Sequence, residues 1–274
     1  MKTRILTGVI AGALFLTVLL LPWSIVLTIA TSLIAVIAVY EIFSVTSMLK
    51  HNGLESLALA FAALAPFFSR MSAAAVGTTC VMYAVLLAGT MLLYRSEISV
   101  KKAAAVFGLA TLVSLSLACL SYLRTVSTRD SDGLFYVILA LLMAWMTDTG
   151  AYFVGTFFGK HKLCPKLSPK KTVEGLIGGI AVALIVSALA AWVYQIAVLK
   201  TSDSISYTSV LVLTLVCAPL SVVGDLFASL IKRVCGVKDF GKIFPGHGGM
   251  LDRFDSLLFV LPAVYAAAHY MPLI

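Results

Sequence analysis

Long uninterrupted apolar runs dominate this chain, and each can supply the ~20 residues with which a helix crosses a bilayer. Inside hydrocarbon every backbone N–H and C=O must be satisfied within the protein, so runs of this length fold as helices. Read against the charged and turn-rich breaks, they predict nine helices, at about 5–22, 24–45, 53–69, 73–94, 102–123, 133–158, 173–199, 207–231 and 254–272. Composition agrees. The chain is 61% apolar and 12% charged, and so few charges could not cover a water-facing surface. The expected fold class is therefore all-α: a polytopic integral membrane protein of about nine transmembrane helices with two long charged cytoplasmic loops.

The first run follows Lys2 and Arg4 and continues through Trp23 into the second without a small-residue cleavage site, so it reads as a retained helix. No period of 20 to 50 residues repeats and no low-complexity linker interrupts the sequence. Residues 1–274 are expected to form a single membrane domain, with 1–130 as scaffold and 131–274 carrying the functional site. Cys80, Cys119, Cys164, Cys217 and Cys235 show neither CxxC spacing nor a histidine cluster, and are read as free thiols.

With nine crossings, 16 of the 20 Lys and Arg residues fall on the side that holds the N-terminus, and only Arg70, Arg124, Arg129 and Lys200 fall on the other. Basic residues near helix ends are retained inside, which puts the N-terminus and both long loops in the cytoplasm. The net charge of +8 is that loop excess and implies no nucleic acid.

The two long loops differ from the other connections. Gly159 to Thr172 carries Lys160, Lys162, Lys166, Lys170 and Lys171 and no acid. Ile231 to Asp255 carries Lys232, Arg233, Lys238, Lys242 and Arg253 together with Asp239, Asp252 and Asp255, and glycines 246, 248 and 249 bracket His247. A cation cluster of this density suits phosphate oxygens, and glycines let a backbone approach a ligand closely. The acids argue for a hard divalent cation such as Mg²⁺, which binds through one or two carboxylates together with substrate phosphates. Two further acids, Asp148 and Asp225, lie inside predicted spans, where a carboxylate is costly unless it is paired or lines a polar cavity. Asp225, Ser229 and Lys232 follow i, i+4, i+7 spacing and share one helix face. Glu41, in the second span, has no obvious partner in the sequence. Asp130 and Asp132, in an outer loop, are expected to tolerate neutralisation.

The stretch Ser229-Leu-Ile-Lys-Arg, four residues, Lys238-Asp-Phe-Gly, then Phe244-Pro-Gly-His-Gly-Gly-Met-Leu-Asp-Arg-Phe-Asp255 resembles the signature of phosphatidate cytidylyltransferases, the CDP-diacylglycerol synthases. The likeness extends to Asp148-Thr-Gly-Ala-Tyr152 and to Ser168-Pro-Lys-Lys-Thr-Val-Glu-Gly175, where the family usually has Trp at the position of Val173. Residues 1–130 match only as hydrophobic spans.

The resemblance implies Mg-dependent transfer of CMP from CTP to phosphatidic acid, giving CDP-diacylglycerol and pyrophosphate in phospholipid biosynthesis. It further implies that Asp225 and Asp252 ligate Mg²⁺, with Asp148 and Asp255 as supporting ligands, and that Lys232 and Arg253 act with them in catalysis. Ser168, Lys170, Lys171, Ser229, Arg233, Lys238, Asp239, His247, Gly248 and Gly249 are the expected substrate contacts. CTP, phosphatidic acid and membrane lipids are the expected partners; a homodimer and a second, monovalent cation are compatible with the resemblance. The expected location is the cytoplasmic membrane of a bacterium, with the site facing inward. Two other readings use the same charges: a CTP-dependent lipid kinase, and a cation-coupled transporter with Asp148 and Asp225 at its ion site.

Overall fold

The computed structural model describes residues 12–47, 52–94, 99–126, 130–199, 205–244, 248–271 and 273–274. Among them six helices are long and apolar enough to cross a membrane: α2 (Ser24–Val45), α4 (Ala73–Leu93), α5 (Val100–Arg124), α6 (Asp130–Phe158), α7 (Val173–Tyr194, continued by a π-helical turn Gln195–Leu199) and α8 (Tyr207–Val234). The described part of α1, residues 12–20, is helical. Two other expected spans fall short of that length: α3 (Asn52–Leu64), which tightens into a 3-10 turn at Ala65–Arg70 where Pro66 removes a backbone donor, and α10 (Leu257–Tyr270). The protein is thus an all-α integral membrane protein that has, among the described residues, six helices of spanning length.

One connection between helices carries strand structure. The first basic loop is a small antiparallel hairpin, β1 (Lys162–Cys164) with β2 (Ser168–Thr172), in which Lys162 pairs with Thr172 and Cys164 with Ser168. Its strands are too short and too lysine-rich to carry an apolar alternation, so periodicity could not announce them. The second loop is shorter than its sequence suggested, because α8 runs on to Val234 and a single turn, α9 (Leu251–Phe254), forms near its end.

The chain separates into two compact units. One comprises Met1–Tyr122 with Cys235–Arg253, the other Leu123–Val234 with Phe254–Ile274. In the first, Phe61, Ala65, Phe68 and Ala118 form a buried cluster, and the Tyr83 ring stacks on Phe61 with centroids 4.0 Å apart. No residue of α4 is buried, and Leu92 and Leu93 lie largely exposed, the arrangement expected where the surrounding solvent is hydrocarbon.

The second unit packs the opposite way from a soluble domain. On α7 the buried residues are Gly175, Gly179, Ala183, Ser187 and Ala191, one small residue per turn, while Ile177, Ile185 and Leu189 face out. This stripe lets α6 and α7 approach closely: a Cβ on Gly179 would stand 2.5 Å from the Thr147 carbonyl oxygen, and one on Gly175 2.7 Å from that of Ala151. Close backbone approach replaces the hydrophobic drive that a bilayer does not provide.

Asp132 departs from the sequence reading. It lies in the first turn of α6 and is buried, and the Tyr194 hydroxyl donates to it at 2.7 Å. Asp132→Ala is expected to strand that phenol and to lower stability by about 1–3 kcal/mol. The change should show as a lower melting temperature in detergent with kcat unaltered.

Candidate active site

The second unit gathers the charged residues from four elements. Thr172 caps α7, its hydroxyl accepting the Gly175 N–H at 3.1 Å, so the hairpin feeds straight into the helix. Glu174, in the first turn, accepts the backbone N–H groups of Lys160 and His161 and pairs with His161 Nδ1 at 2.5 Å, which closes the base of the hairpin. Thr172 and Glu174 therefore explain the later half of the Ser168–Gly175 motif as framework. Alternation along β2 separates the two lysines that the sequence sets side by side. Lys170 is exposed, whereas Lys171 turns inward and its Nζ lies 2.5 Å from Asp225 Oδ2.

On α8, Asp225, Ser229 and Lys232 are half-buried while Leu230 and Arg233 are exposed, so the expected common face exists. Gly224 lets the chain after α9 approach this helix: a Cβ there would meet the Asp255 carbonyl oxygen at 2.5 Å. Asp255 is thereby held beside α8, with its Oδ2 3.9 Å from Lys232 Nζ. The buried Ser256 hydroxyl donates to Asp148 of α6, and Asp148 lies within electrostatic reach of Lys171, Asp225 and Asp255.

Three carboxylates thus face two ammonium groups, a formal excess of one negative charge. A group so placed favours any added positive charge.

The first unit holds the rest. Asp252 Oδ2 accepts the N–H groups of Phe240, at 2.8 Å, and Gly249, at 2.9 Å. Gly248 has φ +85°, the left-handed region that suits glycine, and its carbonyl accepts the Phe244 N–H. Lys238, Asp239 and Arg253 are exposed, Gly249 is buried, and Ser168 in the other unit is half-buried. His247 lies outside the described residues. Among the described residues no group of three or more His, Cys, Asp or Glu side chains is placed to hold a metal by itself. Asp148, Asp225 and Asp255 still suit Mg²⁺, because that ion takes few carboxylates and completes its sphere with water and substrate phosphates.

Three framework residues escaped the sequence reading. Ser256 and His161 carry no signal outside their contacts. Glu41 did carry one, as an acid within an apolar span, and it accepts the N–H groups of Met250 and Leu251.

Comparison with known proteins gives the family. The model of the cytidylyltransferase family matches residues 2–271. A phosphatidate cytidylyltransferase of Bacillus subtilis (strain 168) is 37% identical over 280 residues, covering 97% of this chain and 96% of its own. One from Staphylococcus haemolyticus (strain JCSC1435) is 37% identical over 265 residues and one from Staphylococcus saprophyticus 35% over 262, each covering 96% of both chains.

Proposed function

The chain belongs to the cytidylyltransferase family, and on that premise we propose a reaction for the carboxylate and lysine cluster of its second unit. The protein is a nucleotidyltransferase that moves CMP from CTP to phosphatidate, giving CDP-diacylglycerol and pyrophosphate. The observation that carries the assignment of this site is the convergence of Asp148, Asp225 and Asp255 on Lys171 and Lys232.

A phosphatidate oxygen forms the new bond to the α-phosphorus of CTP as the bond to the β-phosphate oxygen breaks, and pyrophosphate leaves. The attacking phosphate monoester is largely dianionic near neutral pH, its second pKa being ~6, so no general base is required. Both reactants are anionic, and the residues serve chiefly to neutralise and align them. Asp225 and Asp255, supported by Asp148, would hold Mg²⁺, which supplies charge neutralisation and orientation of the phosphates when bound. Lys171 and Lys232, engaged with those carboxylates in the free protein, turn to phosphate oxygens when substrate enters. Lys170 and Arg233 of the same unit, both exposed, supply further cations; Lys238 and Arg253 are further phosphate partners that the resemblance implies. Asp252 is the remaining ligand implied by the resemblance.

The loop-charge asymmetry supports an N-terminus and a site facing the cytoplasm across nine crossings. The bacterial origin of the relatives supports a bacterial cytoplasmic membrane.

Purified protein, phosphatidate vesicles, Mg²⁺ and CTP labelled at the α-phosphorus should give a labelled lipid, and CTP labelled at the γ-phosphorus should give labelled pyrophosphate. Label passing to lipid from the γ-position alone would make the protein a kinase. No transfer from either would leave the transporter reading.

A further inference from the structure

We propose that Glu41 is a positioning residue, a membrane-buried anchor that fixes the glycine turn of the Cys235–Arg253 loop in the form that receives the nucleotide phosphates. The proposal rests on the cytidylyltransferase reading above and assigns part of that activity to a helix of the N-terminal half.

Glu41 sits on α2 and is 3% exposed. Its Oε1 accepts the Met250 N–H at 2.8 Å and its Oε2 accepts the Leu251 N–H at 2.9 Å. The preceding amide, Gly249, donates to Asp252 Oδ2. Three consecutive amides, 249 to 251, are thus turned onto two carboxylates, and the Phe240 amide joins them on Asp252. The loop also has no room for any side chain beside Glu41: a Cβ on Gly241 or on Gly249 would run into its carboxylate. Two of the loop's glycines are therefore shaped by Glu41, which lies about 200 residues away in sequence.

An acid within an apolar span is costly, and a helix that needed only to span would carry an apolar residue at position 41. Here both carboxylate oxygens meet backbone donors of one loop, and that loop bears Lys238, Lys242 and Arg253. Each amide held by Glu41 fixes the backbone from which these cations project. Loss of the anchor would free Met250 and Leu251 to seek other acceptors and would let the turn shift by the fraction of an ångström to which phosphate alignment is sensitive.

The test compares the unmodified protein with Glu41→Gln and Glu41→Ala, purified in one detergent. CTP and phosphatidate kinetics are followed together with amide hydrogen exchange of peptides spanning the chain. In Glu41→Ala, exchange should rise in peptides covering 248–252 while peptides from α6 to α8 keep their protection. kcat/KM for CTP should fall about 100-fold, with the KM for phosphatidate within about twofold of the starting value. Glu41→Gln keeps a single acceptor oxygen for two amides and should lie between. If Glu41→Ala fails to accumulate, Glu41→Gln decides by the same two readouts.

Wild-type exchange at 248–252, or wild-type kcat/KM for CTP, would overturn the proposal. So would a uniform loss of protection along the chain with both substrates equally affected, since that is the signature of a purely structural residue. Failure of the family reading shows separately, as absence of nucleotide-lipid product from the unmodified protein.

Discussion

Asp225→Asn is expected to lower turnover by on the order of 100-fold or more while the protein still inserts and purifies normally. Asparagine keeps the size and polarity of the side chain but removes the charge on which Mg²⁺ affinity depends. The carboxylate it replaces also pairs with Lys171 at 2.5 Å, so the variant releases that ammonium into a site left with two acids in place of three. Excess Mg²⁺ should restore little, because the lost charge served both the metal and the lysine. Initial rates across a Mg²⁺ titration, on protein whose melting temperature matches the parent, provide the measurement. Near-normal turnover at limiting Mg²⁺ would remove Asp225 from the ligand set and leave Asp255 with Asp148 as its core. Against the loss expected for Asp225→Asn, Lys171→Ala should be the milder change, since it deletes a phosphate partner and leaves all three carboxylates in place.

Asp252→Asn addresses a different question, and the loss expected is also on the order of 100-fold. A single oxygen, Oδ2, accepts both the Phe240 and Gly249 amides, so the carbonyl oxygen of asparagine can hold the loop unchanged. What disappears is the negative charge. Asp252→Ala removes both the charge and the anchor, and should be no more active than Asp252→Asn if the charge is what turnover requires. Hydrogen exchange at Phe240 and Gly249 distinguishes the two variants: protected in Asp252→Asn, exposed in Asp252→Ala. An active Asp252→Asn beside an inactive Asp252→Ala would identify Asp252 as a loop anchor alone and refute its role as a metal ligand.

Much of the helical framework could be read directly from the residue order. The expected spans 24–45 and 173–199 coincide with α2 and with α7 plus its π-helical turn, and 133–158 and 207–231 lie inside α6 and α8. Apolar length and the charged breaks that end it are local properties, and the bilayer turns them into helices without reference to any distant contact. The stretch from Ser229 to Asp255 likewise pointed to the family from one continuous run of residues, by its resemblance to the family signature.

Partner choice was a different matter. Lys170 and Lys171 are equivalent in the sequence, and only the pleat of a hairpin too short to be foreseen sends one to Asp225 and leaves the other exposed. Asp132 reads as an outer-loop acid until Tyr194 of another helix is found donating to it. Glu41 reads as an acid without a partner until the loop after α8 closes over it, and Cys235–Arg253 falls in one compact unit with the first 122 residues. The residue order alone marked the long apolar helices, because hydrophobic length acts locally, and its signature stretch carried the resemblance from which the chemistry was inferred. The tertiary structure alone decided which oxygen meets which hydrogen, because those pairings join residues tens to hundreds of positions apart and depend on register and close helix approach, which no local pattern encodes.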